Sequence, residues 1–143
     1  MKSVWKHTLK VHEQLKPALL RSIAYTPASK CTQPNGDQIA RTDYYEKVQL
    51  TDKNYFTLFK NQLGEFFEEV VDRYMLKDLD IVNGWFQQYT GVDKHDWHLH
   101  SSTQFAGVYY LELPDPKYVT EFYDYKTNKK TKTVPCKEGD VIL

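Results

Sequence analysis

The sequence predicts an α+β fold, helices first and strands after, on three observations. Apolar residues recur at three- and four-residue steps in the first half and give way to two-residue alternation from Leu79 onward. Turn-prone runs, "TGVDK", "PDPK", "KTNKK" and "KEGD", punctuate that second half at short intervals. Aromatics reach 15%, with eleven Tyr, seven Phe and three Trp, a bias that suits pleated sheets. A chain of 143 residues has room for one hydrophobic core, so residues 1–143 read as a single domain. Within it, 1–78 form a helix-rich support and 79–143 the strands of a β-sandwich or jelly roll, one face of which the helices cover.

Taken in order, Leu9, Leu15, Leu19 and Leu20 put an apolar face on "LKVHEQLKPALLRS" (9–22), a short helix interrupted at Pro17. "TPASKCTQPNGDQ" (26–38) carries two prolines and Asn35-Gly36, the chemistry of an exposed loop. A strand follows in "IARTDYYEKVQL" (39–50). The clearest helix comes next, capped by Thr51 or Asp52. Tyr55, Phe59, Leu63, Phe66, Phe67, Val70 and Tyr74 form its apolar stripe, with charged residues such as Lys60, Glu65 and Asp72 on the other face. Strands are then expected in "LDIVNGWFQQY", "DWHLH", "FAGVYYLEL", "KYVTEFYDY", "TKTVPC" and a last "DVIL". The closing "VIL" opens an apolar strand that stops at once. It predicts C-terminal strands that are incomplete, and a homodimer formed through the unpaired edge.

Nineteen basic residues balance nineteen acidic ones, so no global field recruits nucleic acid or an anionic membrane. The lysines of "YKTNKKTKT" (125–133) read as a solvated turn that protects an edge strand. The opening "MKSVWKHTLKVHEQLK" interleaves charges throughout, and no apolar run approaches membrane-spanning length, so a soluble, cytoplasmic protein is expected. Cys31 and Cys136 lie outside any C-x-x-C pattern and are expected as free thiols. There is no G-x-S-x-G elbow, P-loop, G-x-G-x-x-G fingerprint or H-E-x-x-H helix, which leaves covalent hydrolases, nucleotide binding and zinc proteases without support.

Three of the five histidines fall in "HDWHLH" (95–100). On a strand, His98 and His100 project from one face while Trp97 and Leu99 point the other way, so two imidazoles can reach one metal ion. His95 and Asp96 stand beside them in a supporting position, touching the ligands rather than the metal. The plainer alternative is a polar strand whose histidines face solvent, because H-x-H alone is a weak signal. An open non-haem Fe(II) site needs two or three protein ligands and free positions, which the mouth of a small β-barrel provides.

The run "WFQQYTGVDKHDWHLHSSTQFAGVYYLELPD" presents Tyr89-Thr90-Gly91, His98-Leu99-His100 and Gly107-Val108-Tyr109-Tyr110-Leu111, followed later by Glu138-Gly139-Asp140. In that order these motifs resemble the metal-binding half of the 2-oxoglutarate- and Fe(II)-dependent oxygenases, of the prolyl-hydroxylase-like and phage or marine bacterial groups. The resemblance spans residues 79–143. It implies a double-stranded β-helix, Fe(II) as cofactor, 2-oxoglutarate as cosubstrate, and hydroxylation of a small molecule or a protein side chain. It makes His98 the first ligand, puts His100 where many members carry Asp or Glu, and places Tyr110 and Tyr89 along the cosubstrate pocket. The family's distal His, and the Arg or Lys that grips the keto acid, have no counterpart up to Leu143. Substrate identity would reside in the loops 26–38 and 91–104. Two other functions compete: a non-catalytic jelly-roll module that binds a metal or small ligand, and a cupin-like enzyme with an all-histidine site.

Overall fold

Leu15, Leu19 and Ile23, four residues apart and all buried, lie on one face of a single helix, α1, over His12–Tyr25. The helix continues through Pro17 instead of breaking there. A proline this near the N-terminal end removes one backbone hydrogen bond, and the buried stripe outweighs that loss. The computed structural model describes residues 4–100, 102–131 and 133–143. Ser101 of the 91–104 loop and Lys132 of the 125–133 hairpin lie outside the described residues. The chain falls into two compact units: Met1–Glu13 with Trp97–Leu143 (unit 1), and Gln14–Asp96 (unit 2).

In unit 2, β2 (Ser29–Thr32) and β3 (Gln38–Thr42) make an antiparallel hairpin, and β4 (Gln87–Gln88) pairs with the other side of β3. The segment 26–38, expected as a loop, is therefore mostly hairpin. Its turn uses the residues that suggested a loop. Gly36 N–H reaches the Gln33 carbonyl at 2.9 Å with Gly36 at φ +88°, and the Asn35 side chain accepts from Asp37 N–H at 3.0 Å. Arg41 on β3 donates to the Ile23 carbonyl at 2.8 Å and to the Thr26 carbonyl, satisfying groups at the C-terminal end of α1.

The stripe from Tyr55 to Tyr74 is divided between α2 (Asn54–Lys60) and α3 (Gly64–Tyr74), which corrects the single helix expected there. The N–H groups of Gln62 and Leu63 turn to carbonyls three residues back, at 2.9 and 3.1 Å, and Gly64, a poor helix former, begins the next helix. Thr51 and Asp52 lie in a 3-10 turn, and Lys53 takes the N-cap position of α2 without a side-chain cap bond. Tyr55, Leu63, Phe66 and Val70 are buried as their spacing predicts, together with Phe56 from outside the expected stripe. In the expected strand from Leu79, only Gln87–Gln88 pairs among the described residues. The Asp80 and Asn83 side chains capture the N–H groups of Ile81 and Gly84, both at 2.8 Å, and so compete with a ladder.

In unit 1, β8 (Asp140–Ile142) lies between β1 (Lys6–Thr8) and β5 (Val108–Tyr109), antiparallel to both. Trp5 and Leu143 extend the β1–β8 pairing, exchanging backbone hydrogen bonds of 3.0 and 2.9 Å. This corrects the unpaired edge expected at "VIL": the strand is interior, Val141 and Ile142 are buried, and the homodimer inferred from that edge loses its basis. β6 (Tyr123–Asp124) and β7 (Lys129–Lys130) form a separate ribbon. "DWHLH" and "TKTVPC" contain no strand among the described residues. Tyr110, Cys136 and Ile142 form a core with Val4, Leu113, Val119, Phe122 and Val134 packed on it. Both cysteine thiols are free. Three α-helices and three small antiparallel sheets among the described residues make the chain α+β, and they do not by themselves establish a jelly roll. No described helix is long and apolar enough to cross a membrane.

Burial lifts the phenols of Tyr55, Tyr109 and Tyr110 above the ordinary value of 10.0, and in Tyr55 a hydrogen bond to Asp43 adds to it. Each folded pKa thus exceeds its unfolded one. The associated stability is complete below about pH 10 and is lost as pH rises past it, because the unfolded chain releases protons that the folded chain keeps. The urea midpoint should therefore fall steeply above about pH 10, and Tyr55→Phe should blunt the slope. A midpoint unchanged up to about pH 12 would contradict the burial.

Candidate metal centre

His98 and His100 come together without a strand to align them. The two side chains nevertheless meet, with their Nε2 atoms 3.2 Å apart and their ring centroids 4.9 Å apart at 72°. A metal–nitrogen bond of about 2.1 Å sets two neighbouring nitrogen ligands about 3.0–3.4 Å apart, so the observed separation fits one shared ion. It equally fits an imidazole–imidazole hydrogen bond in which one ring donates its N–H to the other. Both residues are exposed. Desolvation and the neighbouring His98 lower the pKa of His100, favouring the neutral ring that a metal requires. Trp97, immediately before the pair, is anchored on the β6–β7 ribbon: its ring lies 5.5 Å from that of Tyr123, and the Lys130 ammonium sits 5.5 Å from the Trp97 ring centre.

His95 and Asp96 belong to unit 2. His95 Nδ1 lies 3.4 Å from the Gln87 amide nitrogen, and Asp96 N–H donates to the Gln33 side chain at 2.8 Å, which ties both to the β2–β3–β4 sheet. Tyr89 is exposed and donates its hydroxyl to the Gln87 side chain. Tyr110 is buried in unit 1. Its hydroxyl donates to Thr120 Oγ1 at 2.8 Å and accepts from Thr120 N–H at 2.9 Å, the usual arrangement of a core tyrosine. Among the described residues, no group of three or more His, Cys, Asp or Glu is placed to hold a metal ion.

Two buried polar clusters went undetected in the sequence. In unit 1, His12 Nδ1 lies 2.5 Å from the Tyr109 hydroxyl and His12 Nε2 lies 3.3 Å from Glu138 Oε1, while Glu138 Oε2 accepts from Leu113 N–H at 3.1 Å. In unit 2, Asp43 accepts from the Tyr55 hydroxyl at 2.7 Å, from Phe86 N–H at 2.9 Å and from the Lys53 ammonium at 2.9 Å. Asp43 and Lys53 are the most buried residues lining an open cavity of about 510 Å³ between α1 and the start of α2. His12 pairs with residues 97 and 126 positions away, beyond any local pattern. "RTDYY" and "TDKNY" read as a strand end and a helix cap, and nothing in their spacing brings Asp43 to Lys53.

No family model, curated protein or solved structure matches the chain.

Proposed function

We propose that His98 and His100 supply two imidazole ligands to Fe(II) in a 2-oxoglutarate-dependent oxygenase domain of the jelly-roll type. The observation that carries the metal assignment is the 3.2 Å separation of the two Nε2 atoms. The order of the Tyr89, His98–His100, Tyr110 and Glu138-Gly139-Asp140 motifs supports the choice of iron chemistry. The donor set suits it too: imidazole binds Fe(II) well, and two ligands leave coordination positions open. When bound, iron and the keto acid supply the oxidising power. The chain's own part is to hold the ion and, through the exposure of both rings, to leave it accessible to a substrate.

A second reading, a non-catalytic metal-binding module, is favoured by one observation: the hydroxyl of Tyr110, which the resemblance assigns to the cosubstrate pocket, is engaged by Thr120. An anaerobic titration with Fe(II), and with Co(II) as a spectroscopic stand-in, tests the site. His98→Ala and His100→Ala should each weaken uptake by about a hundredfold and leave the circular dichroism unchanged, since both side chains are exposed. Wild-type affinity in both variants would remove the assignment. Adding 2-oxoglutarate to the Co(II) form separates the two readings: an altered Co(II) spectrum supports the oxygenase, and an unaltered one the module.

A further inference from the structure

We propose that Trp97, clamped by Tyr123 and Lys130, is a positioning residue for the histidine pair: it keeps His98 and His100 in the arrangement that one metal ion requires. The role rests on the metal assignment proposed for the pair, and it extends the site to residues outside the donor set.

The histidines themselves call for such a device. Both are exposed, and 95–100 contain no strand among the described residues. Exposed side chains change rotamer within nanoseconds, so without support the two rings would converge only part of the time. Ordering them at the moment of binding costs affinity, and a site ordered beforehand avoids that cost.

A series of contacts within unit 1 leads from its core to the pair. Phe122 packs against the core of Tyr110, Cys136 and Ile142. The Phe122 carbonyl accepts from Thr131 N–H at 2.9 Å and from the Thr131 hydroxyl at 3.2 Å, which fixes the root of the β6–β7 ribbon. One step outward, Tyr123 and Lys130 are direct partners in the ribbon register, so their side chains share a face. Trp97 meets both of them. Its ring centroid lies 5.5 Å from that of Tyr123, at 47°, and the Lys130 ammonium stands 5.5 Å from the indole centre. Glu121 accepts from the same ammonium at 2.9 Å and holds it there. His98 follows Trp97 directly, so fixing the indole restrains the backbone from which the pair projects. Trp97 is 51% exposed and the Lys130 side chain 63%, so both add little to the core. Their removal should register at the histidines rather than in the fold.

The experiment reads the full chain in two ways. In the metal-free protein, an NOE between ring protons of His98 and His100 reports their pairing directly. It should be present in the wild type, lost in Trp97→Ala and kept in Trp97→Phe. In a Co(II) titration, Trp97→Ala should bind about tenfold more weakly, with a changed visible spectrum and unchanged circular dichroism. Lys130→Gln should weaken Co(II) about threefold, and Lys130→Arg should restore most of that loss. Lys130→Gln carries the same two readouts should Trp97→Ala fail to fold. A wild type that takes up no Co(II) removes the metal assignment and leaves the NOE to decide the clamp. Absence of the NOE in the wild type, or its persistence in Trp97→Ala, would overturn the inference. So would undiminished Co(II) affinity in that variant when the wild type binds through His98 and His100.

Discussion

Asp43→Ala is expected to remove about 3–5 kcal/mol of folding stability. Asp43 is 1% exposed and its carboxylate accepts from three donors, the Lys53 ammonium, the Tyr55 hydroxyl and Phe86 N–H. Truncation leaves Lys53, itself 6% exposed, as a buried cation whose remaining partner is the Gly84 carbonyl. It also strands a phenol and an amide away from water. Domains of this size are stable by about 5–15 kcal/mol, so the variant should be partly unfolded under mild conditions. Urea unfolding followed by tyrosine and tryptophan fluorescence measures the loss.

The same cluster separates two explanations of that loss. A buried ion pair is a weak net stabiliser, and most of the penalty for breaking it comes from the orphaned partner. Combining Asp43→Leu with Lys53→Met removes both charges together. The double variant should then be more stable than the sum of the two single losses by about 1–3 kcal/mol. Strictly additive losses, or a cost below about 1 kcal/mol for Asp43→Ala, would mean that water reaches this cluster in solution.

These residues also mark the limit of what the sequence discloses. The stripe of α1 and that of α2 and α3 were readable, because a single buried face repeats every three or four residues. Where the stripe crosses Gln62 and Leu63 the periodicity survives, yet the helix does not; buried-face spacing is insensitive to a tight turn that preserves the face. The strands were harder. They are only two to five residues long, and β8 pairs with β1 across most of the chain: the Thr8 hydroxyl and Asp140 are separated by 132 positions. Alternation shows which face of a strand is buried but not which segment will pair with it. His98 and His100 were legible as a pair because residues two apart in the chain need no long-range pairing to meet. Lys53 and Asp43 look like surface charges until the fold buries them. Tyr110 stands out by its motif, while the Thr120 that engages its hydroxyl, ten positions on, leaves no signal in the spacing.

Gly139→Ala is expected to cost about 2–4 kcal/mol, from backbone strain and overpacking together. Gly139 holds φ +93°, a conformation that L side chains rarely adopt, and a Cβ there would stand 2.9 Å from His12 Cγ. Neither side can yield easily. The His12 ring is held between the Tyr109 hydroxyl and Glu138, while Gly139 N–H donates to the Tyr110 carbonyl at 2.8 Å and its carbonyl accepts from Leu9 N–H at 3.0 Å. The neighbours are equally committed to the fold: Asp140, 1% exposed, accepts from the Thr8 hydroxyl at 2.5 Å and from Lys137 N–H at 2.9 Å. Every residue of the Glu138-Gly139-Asp140 motif thus has a structural task in setting β8 between β1 and β5. Adding His12→Ala to Gly139→Ala should recover part of the overpacking, making the double loss smaller than the sum. A loss below about 0.5 kcal/mol for Gly139→Ala in urea would show that this turn relaxes freely. Because the motif acts through the fold, folded Gly139→Ala protein should give the same Fe(II) titration curve as the wild type.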